Sequence, residues 1–502
     1  MNRTLPGLCV VLALVVTSAA HAQSYPTLIQ ITNEMQTTAA SFPSICQFVD
    51  LNATYGTAPT WQGRSMYAVK ISDNVGQDED EPSFFIAATH HGNEIVNPVI
   101  ALDAIARLTQ GYGTDPVITA LVDDHEIWIV ANCNPDGYAN GTRHNARPGG
   151  SVDLNRNYPF LWSSTCNTGV RGPSAGSEPE TQTIMALSED QRFTKVLDYH
   201  SSGRETLYAY RQTCPNHQLT SYLQNEATLI SQNSGYNGGI RGPSSNGEHY
   251  HWQLGQFSNY AFLTETHTSQ QPPYASAVAE AAIVWPGTIW MIQRPTPVWG
   301  HITDATTGQP LEANISYVEN PFTQGEQNTS EPLYGRYHAF LPAGNHTLRF
   351  EHPCYVAQDI PVTVSASGMQ LEVQLVRLGC FTFDFSTSGG GVGDLHVAIL
   401  DIPATTVQGY TLFSLDTTLP AGAGVVFGLS PDLLTLQCLL TPMAPGNLFH
   451  WSTPVPGLFP SVPIDLPPGA LSVLSGTSAD GLAVALDATW NATLSDPIRI
   501  TF

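Results

Sequence analysis

Positive charge is scarce in this 502-residue sequence. It has 18 Lys and Arg residues, of which only Lys70 and Lys195 are lysines, against 42 Asp and Glu, and its formal net charge is -24. No run of basic residues is present. Such a chain repels phosphate backbones and anionic lipid, so we expect no nucleic-acid partner and no role at a membrane surface.

Charged residues of either sign make up only 12% of the chain, about half the share that is usual in soluble domains. Hydrophobic residues make up 42%, which is enough for packed cores and excludes a disordered chain. Because single cores rarely grow beyond about 250–300 residues, the length predicts two to four domains.

The N-terminus is typical of a secretory signal peptide. Asn2 and Arg3 form a polar, basic start, an apolar stretch runs from Leu8 to Val16, and Ala20 to Ala22 resembles a cleavage site. We therefore predict a signal peptide over residues 1–22 and a secreted protein, extracellular or periplasmic. No other segment looks long and apolar enough to cross a bilayer, so we expect no membrane span, and we expect a monomer.

Cysteines are few, and their number is odd once the predicted signal peptide is removed. The seven that remain are Cys46, Cys133, Cys166, Cys214, Cys354, Cys380 and Cys438. An odd count leaves at least one thiol free or paired between chains. We favour the pairs Cys166–Cys214 and Cys354–Cys380, with buried free thiols as the alternative.

Strand and helix patterns alternate over residues 23–296. Buried strands are predicted at Ser83–Thr89, Glu126–Ala131, Val196–Tyr199 and Tyr260–Thr264, and helices at Ile95–Leu108, from a Ser177 cap through Leu187, and at Ala275–Ile292. This alternation predicts an α/β domain with a mixed, largely parallel twisted sheet flanked by helices.

The pattern changes after Pro297. Residues 298–378 show short strands, frequent turns and no helical period, which predicts a β-sandwich. Residues 380–502 are rich in glycine and proline and hold nine Asp, no Glu and one basic residue, Arg499. We predict a further β domain there, of unknown role.

The residues that point to chemistry begin directly after the first buried strand. In His91-Gly92-Asn93-Glu94 an imidazole and a carboxylate are three residues apart, where a strand turns into a helix, so both can face one metal ion. His200 ends another predicted strand and is the candidate third ligand. Two His and one Glu leave a position open to water, the arrangement of catalytic zinc sites. Glu265 ends the strand after that and is the candidate general base.

Arginines cluster in the segment that follows. Arg143, Arg147 and Arg156 fall within fourteen residues of a chain that is poor in cations. A guanidinium beside the amide of Asn155 can hold a carboxylate, and another arginine can stabilise a developing oxyanion. The alternative is an ion-pair network at the surface.

These residues occur in motifs that resemble those of the zinc metallocarboxypeptidases, the carboxypeptidase A-like enzymes. From Tyr25 to Gln293 the matching motifs, in family order, are His91-Gly92-Asn93-Glu94, Asn134-Pro135-Asp136-Gly137-Tyr138, Asp153-Leu154-Asn155-Arg156-Asn157, Ser177-Glu178-Pro179-Glu180 and Phe262-Leu263-Thr264-Glu265. The resemblance implies that residues 23–296 are a catalytic domain binding one Zn²⁺ through His91, Glu94 and His200. It also implies that Glu265 is the general base and that Asp153 hydrogen-bonds His91.

The resemblance further implies that the substrates are the C-termini of peptides or proteins. Asn155 and Arg156 would bind the terminal carboxylate, and Arg143 would polarise the scissile carbonyl. Tyr250 is the candidate to replace a mobile tyrosine that relatives carry before the general base. By register from His200, Arg211 falls where basic-specific relatives carry an acidic residue, so it predicts a preference for acidic C-terminal residues; the alternative is a surface arginine.

Residues 298–378 resemble the transthyretin-like module that follows the catalytic domain in some relatives. The matching stretches are Asp304–Leu311 and Leu341–Gly344. In those relatives the module is mainly structural, and we expect the same here.

Two other functions compete with the zinc exopeptidase. Gly172-Pro173-Ser174-Ala175-Gly176 matches the nucleophile elbow of serine hydrolases, but that motif needs a preceding strand and the sequence predicts a loop. A non-catalytic binding protein on a peptidase scaffold is the second alternative. The complete set of ligands and base argues against it.

Overall fold

The computed structural model describes residues 24–210, 217–352, 355–377, 381–403, 405–444, 447–452 and 457–502. The predicted signal peptide, Arg211 and three of the predicted disulfide cysteines (Cys214, Cys354 and Cys380) lie outside these ranges. Cys166 is disulfide-bonded, and its predicted pairing with Cys214 stays a prediction, whereas Cys46, Cys133 and Cys438 are buried free thiols.

The first part of the chain forms one mixed eight-stranded sheet. Its strands are β1 (Cys46–Asp50), β2 (Tyr67–Ile71), β3 (Ser83–Ala88), β4 (Glu126–Val130), β5 (Lys195–Ser201), β6 (Glu205–Leu207), β7 (Ile240–Arg241) and β8 (Tyr260–Thr266). Their order is β1-β2-β4-β3-β5-β8-β6-β7. The four central strands, β4-β3-β5-β8, are parallel, while β1, β2 and β6 join them through antiparallel pairs. This confirms the mixed α/β sheet.

Helices flank this sheet. They are α1 (Leu28–Ser41), α2 (Leu51–Tyr55), α3 (Asn97–Gly111), α4 (Pro116–Asp123), α5 (Pro135–Asn140), α6 (Pro179–Gln191), α7 (Thr220–Asn233), α8 (His249–Phe257) and α9 (Tyr274–Gln293), with a 3₁₀ turn at Leu154–Arg156. The predicted cap of α6 was wrong. Ser177 donates its hydroxyl hydrogen bond to Glu178, the residue that actually precedes the helix.

Helix α9 corrects the expectation that no later segment could cross a bilayer. By length and composition it passes that test, alone among the helices in the described ranges, with a mean hydropathy of 1.3. However, Ala277, Ala281, Val284 and Met291 pack in the core of the α/β domain. The apolar length of α9 is therefore explained by this packing.

Two further β regions follow. The first holds β9 (Val298–Asp304), β10 (Asn314–Tyr317), β11 (Arg336–Ala339), β12 (Gly344–Glu351), β13 (Gln358–Val364), β14 (Met369–Gln370) and β15 (Val373–Leu375). Its sheets, β10-β12-β13 and β11-β9-β14 with β15 on β9, share one hydrophobic cluster that includes Ile302, Ile315 and Phe350.

The second region holds β16 (Thr382–Ser386), β17 (Leu395–Ile402), β18 (Thr406–Ser414), β19 (His450–Ser452), β20 (Gly457–Leu466), β21 (Ser478–Asp487), β22 (Ala492–Leu494) and β23 (Ile498–Thr501). It has its own hydrophobic cluster. It also contains a helix that the sequence did not predict, α10 (Leu433–Leu440), which begins at a capping box formed by Asp432 and Thr435.

Candidate active site

Three parallel strands bring the predicted ligands and base to one edge of the sheet. His91 and Glu94 lie in the turn between β3 and α3, His200 lies in β5 and Glu265 lies in β8. Strands β5 and β8 continue two residues beyond their predicted ends, so His200 and Glu265 are strand residues and are register partners. The parallel ladder therefore fixes the separation between the third ligand and the base.

The three predicted ligands converge on one point. The Nδ1 atom of His91 lies 2.7 Å from Glu94 Oε1, and the Nδ1 atom of His200 lies 3.2 Å from Glu94 Oε2. The two Nδ1 atoms are 3.1 Å apart. All three side chains are buried, and one atom from each lies within 4.8 Å of the others, a group that could hold a metal ion.

The outer nitrogens of both histidines face carboxylates. His91 Nε2 lies 3.1 Å from Asp153 Oδ1, and His200 Nε2 lies 3.4 Å from Asp198 Oδ2. An imidazole that donates Nε2–H to a carboxylate presents a lone pair on Nδ1. When both rings are neutral, two lone pairs and the carboxylate of Glu94 therefore meet in a buried space. A cation satisfies all of them, and this donor set fits Zn²⁺.

Electrostatic coupling within this group is strong. Burial by itself would lower the pKa of His200, but Asp198 and Glu94 raise that pKa well above its usual value. Burial would raise the pKa of Glu94, but His91 and His200 hold it below the usual range. The ligand carboxylate is thus kept ionised, as metal binding requires.

Glu265 has the environment of a general base. Burial, followed by the nearby charge of Glu94, raises its pKa to about 7, although His200 and Arg241 oppose the rise. Its Oε1 accepts a hydrogen bond of 3.2 Å from Arg241 Nη2, and its buried Oε2 has no partner among the described residues. A carboxylate with a pKa near neutrality, and with one free oxygen, can take and return a proton.

Arg143 and Arg147, neighbours in the sequence, lie at different places in the structure. Arg143 donates from Nε to Asp153 Oδ2 at 3.0 Å, and its Nη1 lies 3.7 Å from Glu94 Oε1, so it borders the ligand group. Arg147 instead forms an ion pair of 2.7 Å with Glu178. Both arginines therefore form ion pairs, Arg143 at the ligand group and Arg147 away from it, and the substrate role of Arg143 stays a prediction.

Arg156 already holds a carboxylate of the protein. Its Nη1 forms an ion pair of 3.1 Å with Glu248 Oε1 and donates to the backbone oxygen of Asn155 at 2.6 Å. The amide oxygen of Asn155 is engaged as well, because it accepts from the backbone N–H of His249. Its Nδ2 lies 3.3 Å from His200 Nε2 but cannot donate to that nitrogen while Nε2 carries the proton that faces Asp198. Binding of a substrate carboxylate by Asn155 and Arg156 stays a prediction.

The structure places the remaining predicted residues as follows. Tyr250 is fully buried in the first turn of α8, and its hydroxyl lies 3.5 Å from the backbone oxygen of Tyr208. Its predicted substrate contact is not tested by these distances. Arg211 lies outside the described residues. Ser174 is exposed in a loop with no strand in the described residues directly before it, so the nucleophile elbow is absent there.

Sequence reasoning missed three charged residues at this site: Asp198, Arg241 and Glu248. Only Asp198 had a usable signal, because residues two apart on a strand point to the same face, and Asp198 and His200 are two apart on β5. Arg241 and Glu248 reach the site from β7 and from the residue before α8. Neither element was predicted.

Known proteins that resemble this chain are carboxypeptidases. The family model for zinc carboxypeptidases (peptidase M14) matches residues 31–278. Carboxypeptidase SOL1 of Arabidopsis thaliana is 25% identical over 367 residues, which cover 67% of this chain and 67% of that protein. A zinc carboxypeptidase of Saccharothrix mutabilis subsp. capreolus is 33% identical over 140 residues.

The alignment with the Saccharothrix protein covers 26% of this chain and 31% of that relative, less than a third of its length. The crystal structure of carboxypeptidase A from Helicoverpa armigera aligns with a TM-score of 0.46 at 20% identity, covering 53% of this chain and 72% of that chain. The family match and the carboxypeptidase relatives agree: residues 31–278, just under half of the chain, are similar to the zinc carboxypeptidases, and the enzyme class they support is metallocarboxypeptidase.

Proposed function

We propose that this protein is a secreted, zinc-dependent exopeptidase that hydrolyses the C-terminal peptide bond of peptides or proteins. The observation that carries the proposal is the convergence of His91, Glu94 and His200 beside Glu265. The ligand donors and the base lie at one sheet edge, where α/β proteins bind their ligands.

Zn²⁺ held by His91, Glu94 and His200 would supply a Lewis acid for the scissile carbonyl and for the attacking water. Glu265 takes the proton of that water through its unpartnered Oε2 and returns it to the leaving amine. Arg143 is 37% exposed and borders the ligand group, so its guanidinium can donate to the carbonyl oxygen as negative charge develops there.

Attack at the chain end would depend on Arg156. Both of its contacts with described residues use Nη1, so the edge formed by Nε and Nη2 remains available. That edge can hold a terminal carboxylate through two parallel hydrogen bonds. Glu248 would keep the guanidinium oriented, and Asn155 would support the same position through the backbone of His249.

The proposal is tested with pairs of peptides that differ only in a free or an amidated C-terminus, with the released amino acids identified by mass spectrometry. We expect single residues to be released from the free acids and not from the amides. Arg156→Gln should raise KM for the free acids about 10- to 100-fold with a smaller change in kcat, because a charge-assisted contact is lost.

Arg147→Gln is the matched control, because Arg147 belongs to the same loop but pairs with Glu178 away from the ligand group. It should leave KM unchanged. Internal cleavage, or equal rates on acids and amides, would contradict the exopeptidase proposal.

Arg241 should set the pH dependence of the reaction. Its guanidinium favours the ionised form of Glu265, so Arg241→Gln should raise the pKa of that carboxyl. Because the base acts when ionised, activity is lost as the pH falls through this pKa. The acid limb of kcat/KM should therefore move to higher pH in the variant, by up to about one unit given the partial exposure of Arg241.

Bound zinc would lower the pKa of Glu265 in the wild type and in Arg241→Gln alike, so the test compares the pH profiles of these two proteins. Arg192→Gln, which removes a surface ion pair with Glu312, is the control and should leave the profile unchanged. A shift of the acid limb to lower pH in Arg241→Gln would contradict this role.

The other parts of the proposal come from the sequence. Secretion rests on the signal-like residues 1–22, and a transthyretin-like, mainly structural role for residues 298–378 rests on their motifs. Two sheets that enclose one core in that region support it. A preference for acidic C-terminal residues rests on Arg211 alone. Residues 380–502 are proposed as a separate β domain with its own core.

A further inference from the structure

A buried polar cluster lies behind the ligand His200, and the proposed reaction does not use it. Its central members are His90, Asp198 and His249, all fully buried. They come from three separate elements: the turn after β3, strand β5 and the first residue of α8. Side chains of this polarity are costly to bury unless each of them is hydrogen-bonded.

One carboxylate contacts three imidazoles in this cluster. Asp198 Oδ1 lies 3.0 Å from His90 Nδ1, and Asp198 Oδ2 lies 3.2 Å from His249 Nδ1. The same Oδ2 lies 3.4 Å from His200 Nε2. Asp198 therefore connects a ligand histidine to two histidines that are outside the ligand group.

The hydrogen-bond partners of Nε2 indicate which nitrogen of His90 and of His249 carries the proton. Tyr158 lies with its hydroxyl 2.9 Å from His90 Nε2, and Gln253 Nε2 lies 3.0 Å from His249 Nε2. The Gln253 amide is oriented by Ser188 and Asn259, so that its N–H points to His249. Nε2 of each ring accepts a hydrogen bond, so each neutral ring carries its proton on Nδ1 and donates it to Asp198.

The same three side chains form a group that could hold a second metal ion. Three observations favour hydrogen bonds instead. Their nitrogen and oxygen atoms have complementary donors and acceptors, the group offers three ligands where structural zinc takes four, and no member is accessible to solvent. A second ion is nevertheless an outcome that the experiment below distinguishes.

We propose that Asp198, oriented by His90 and His249, is a positioning residue for His200. By accepting the Nε2 proton of His200 it fixes the tautomer and the ring orientation, so that Nδ1 faces the metal. Asp153 makes the equivalent contact with His91, and both histidine ligands are then held from behind by a carboxylate. This inference rests on the proposed zinc site.

The test is zinc affinity, measured on metal-free protein by competition with a chromophoric zinc chelator, with no assay of activity. Asp198→Asn should bind zinc about 10- to 100-fold more weakly than the wild type. Asp136→Asn is the matched control, since Asp136 is equally buried and accepts hydrogen bonds from Thr60, Gln62 and Arg64 away from the ligand group. It should bind zinc as the wild type does.

Cobalt substitution adds a spectroscopic readout. The visible absorption of bound Co²⁺ should shift in Asp198→Asn, because the ring of His200 is released, and should not shift in Asp136→Asn. If Asp198→Asn fails to fold, His249→Gln provides a second variant. It retains a donor toward Asp198 but loses the imidazole that orients this carboxylate, and it should bind zinc several-fold more weakly than the wild type; unchanged affinity would contradict the role of His249.

The possible results separate three statements: the positioning role of Asp198, a second metal site, and the proposed function. One tightly bound zinc in the wild type, with an affinity of Asp198→Asn within about threefold, overturns the positioning role and leaves the proposed function standing. Two zinc ions in the wild type, with one lost in Asp198→Asn, overturn it in favour of a second metal site. A wild type that binds no zinc overturns this inference together with the proposed function.

Discussion

Glu265→Gln is expected to lower kcat about 10²- to 10⁴-fold while the protein keeps its zinc. Glutamine preserves the shape of the side chain, and its Oε1 can still accept from Arg241. It cannot take a proton from water, so only the transfer step is lost. Steady-state kinetics on a free-acid peptide, together with zinc content by atomic emission, measure both expected results.

Glu312→Gln is a suitable control for this substitution. Glu312 is a surface residue whose side chain is 48% exposed and pairs with Arg192, far along the chain from the ligand group. Its replacement should leave kcat within about twofold, as is usual for surface substitutions. If Glu265→Gln kept a normal kcat with zinc bound, Glu265 would not be the base.

Removal of the metal should have the largest effect of all. Dialysis against a chelator is expected to reduce activity to background, and one equivalent of Zn²⁺ should restore it. Mg²⁺ should not restore it, because that ion prefers oxygen ligands and this site offers two imidazoles and one carboxylate. The measurement is peptide hydrolysis before dialysis, after dialysis and after the addition of each ion.

Metal removal should also lower Tm. Without a cation, the two Nδ1 atoms at 3.1 Å and the buried carboxylate of Glu94 have no common partner, and a ligand that binds only the folded state stabilises it. A serine-directed inhibitor should have no effect on activity. Activity that survives the chelator, or is lost to the inhibitor, would contradict a zinc enzyme.

The metal site was predictable because its signals are local. His91 and Glu94 share one turn, and His200 and Glu265 follow apolar runs that are long enough to be recognised as buried strands. The carboxyl ends of parallel strands meet at one edge of the sheet, so the sequence alone predicts that the turn after β3, the end of β5 and the end of β8 lie together. The error was small: β5 and β8 extend two residues further than their apolar runs suggest, because their backbones remain paired through His200 and Glu265.

The contacts of Arg156, Glu248 and Arg241 around the site were not predictable in the same way. The contact between Arg156 and Glu248 joins residues far apart in sequence and depends on where α8 begins. That helix has His, Gln and Gly residues among its apolar positions, so its period is obscured. Strand β7 has only two residues, too few to form a pattern, yet it brings Arg241 into contact with Glu265, the proposed general base.

The pairing of His200 with Glu265 across two adjacent strands has a consequence for how such an enzyme can diversify. Neighbouring strands are held about 4.8 Å apart by main-chain hydrogen bonds, which do not depend on side-chain identity. The spacing between metal ligand and base is therefore insulated from mutation elsewhere. Arg156, in a 3₁₀ turn, and Glu248, just before α8, are not held by such a ladder. Under the proposed function, selection can thus alter which chain ends are accepted while the spacing between His200 and Glu265 is inherited unchanged.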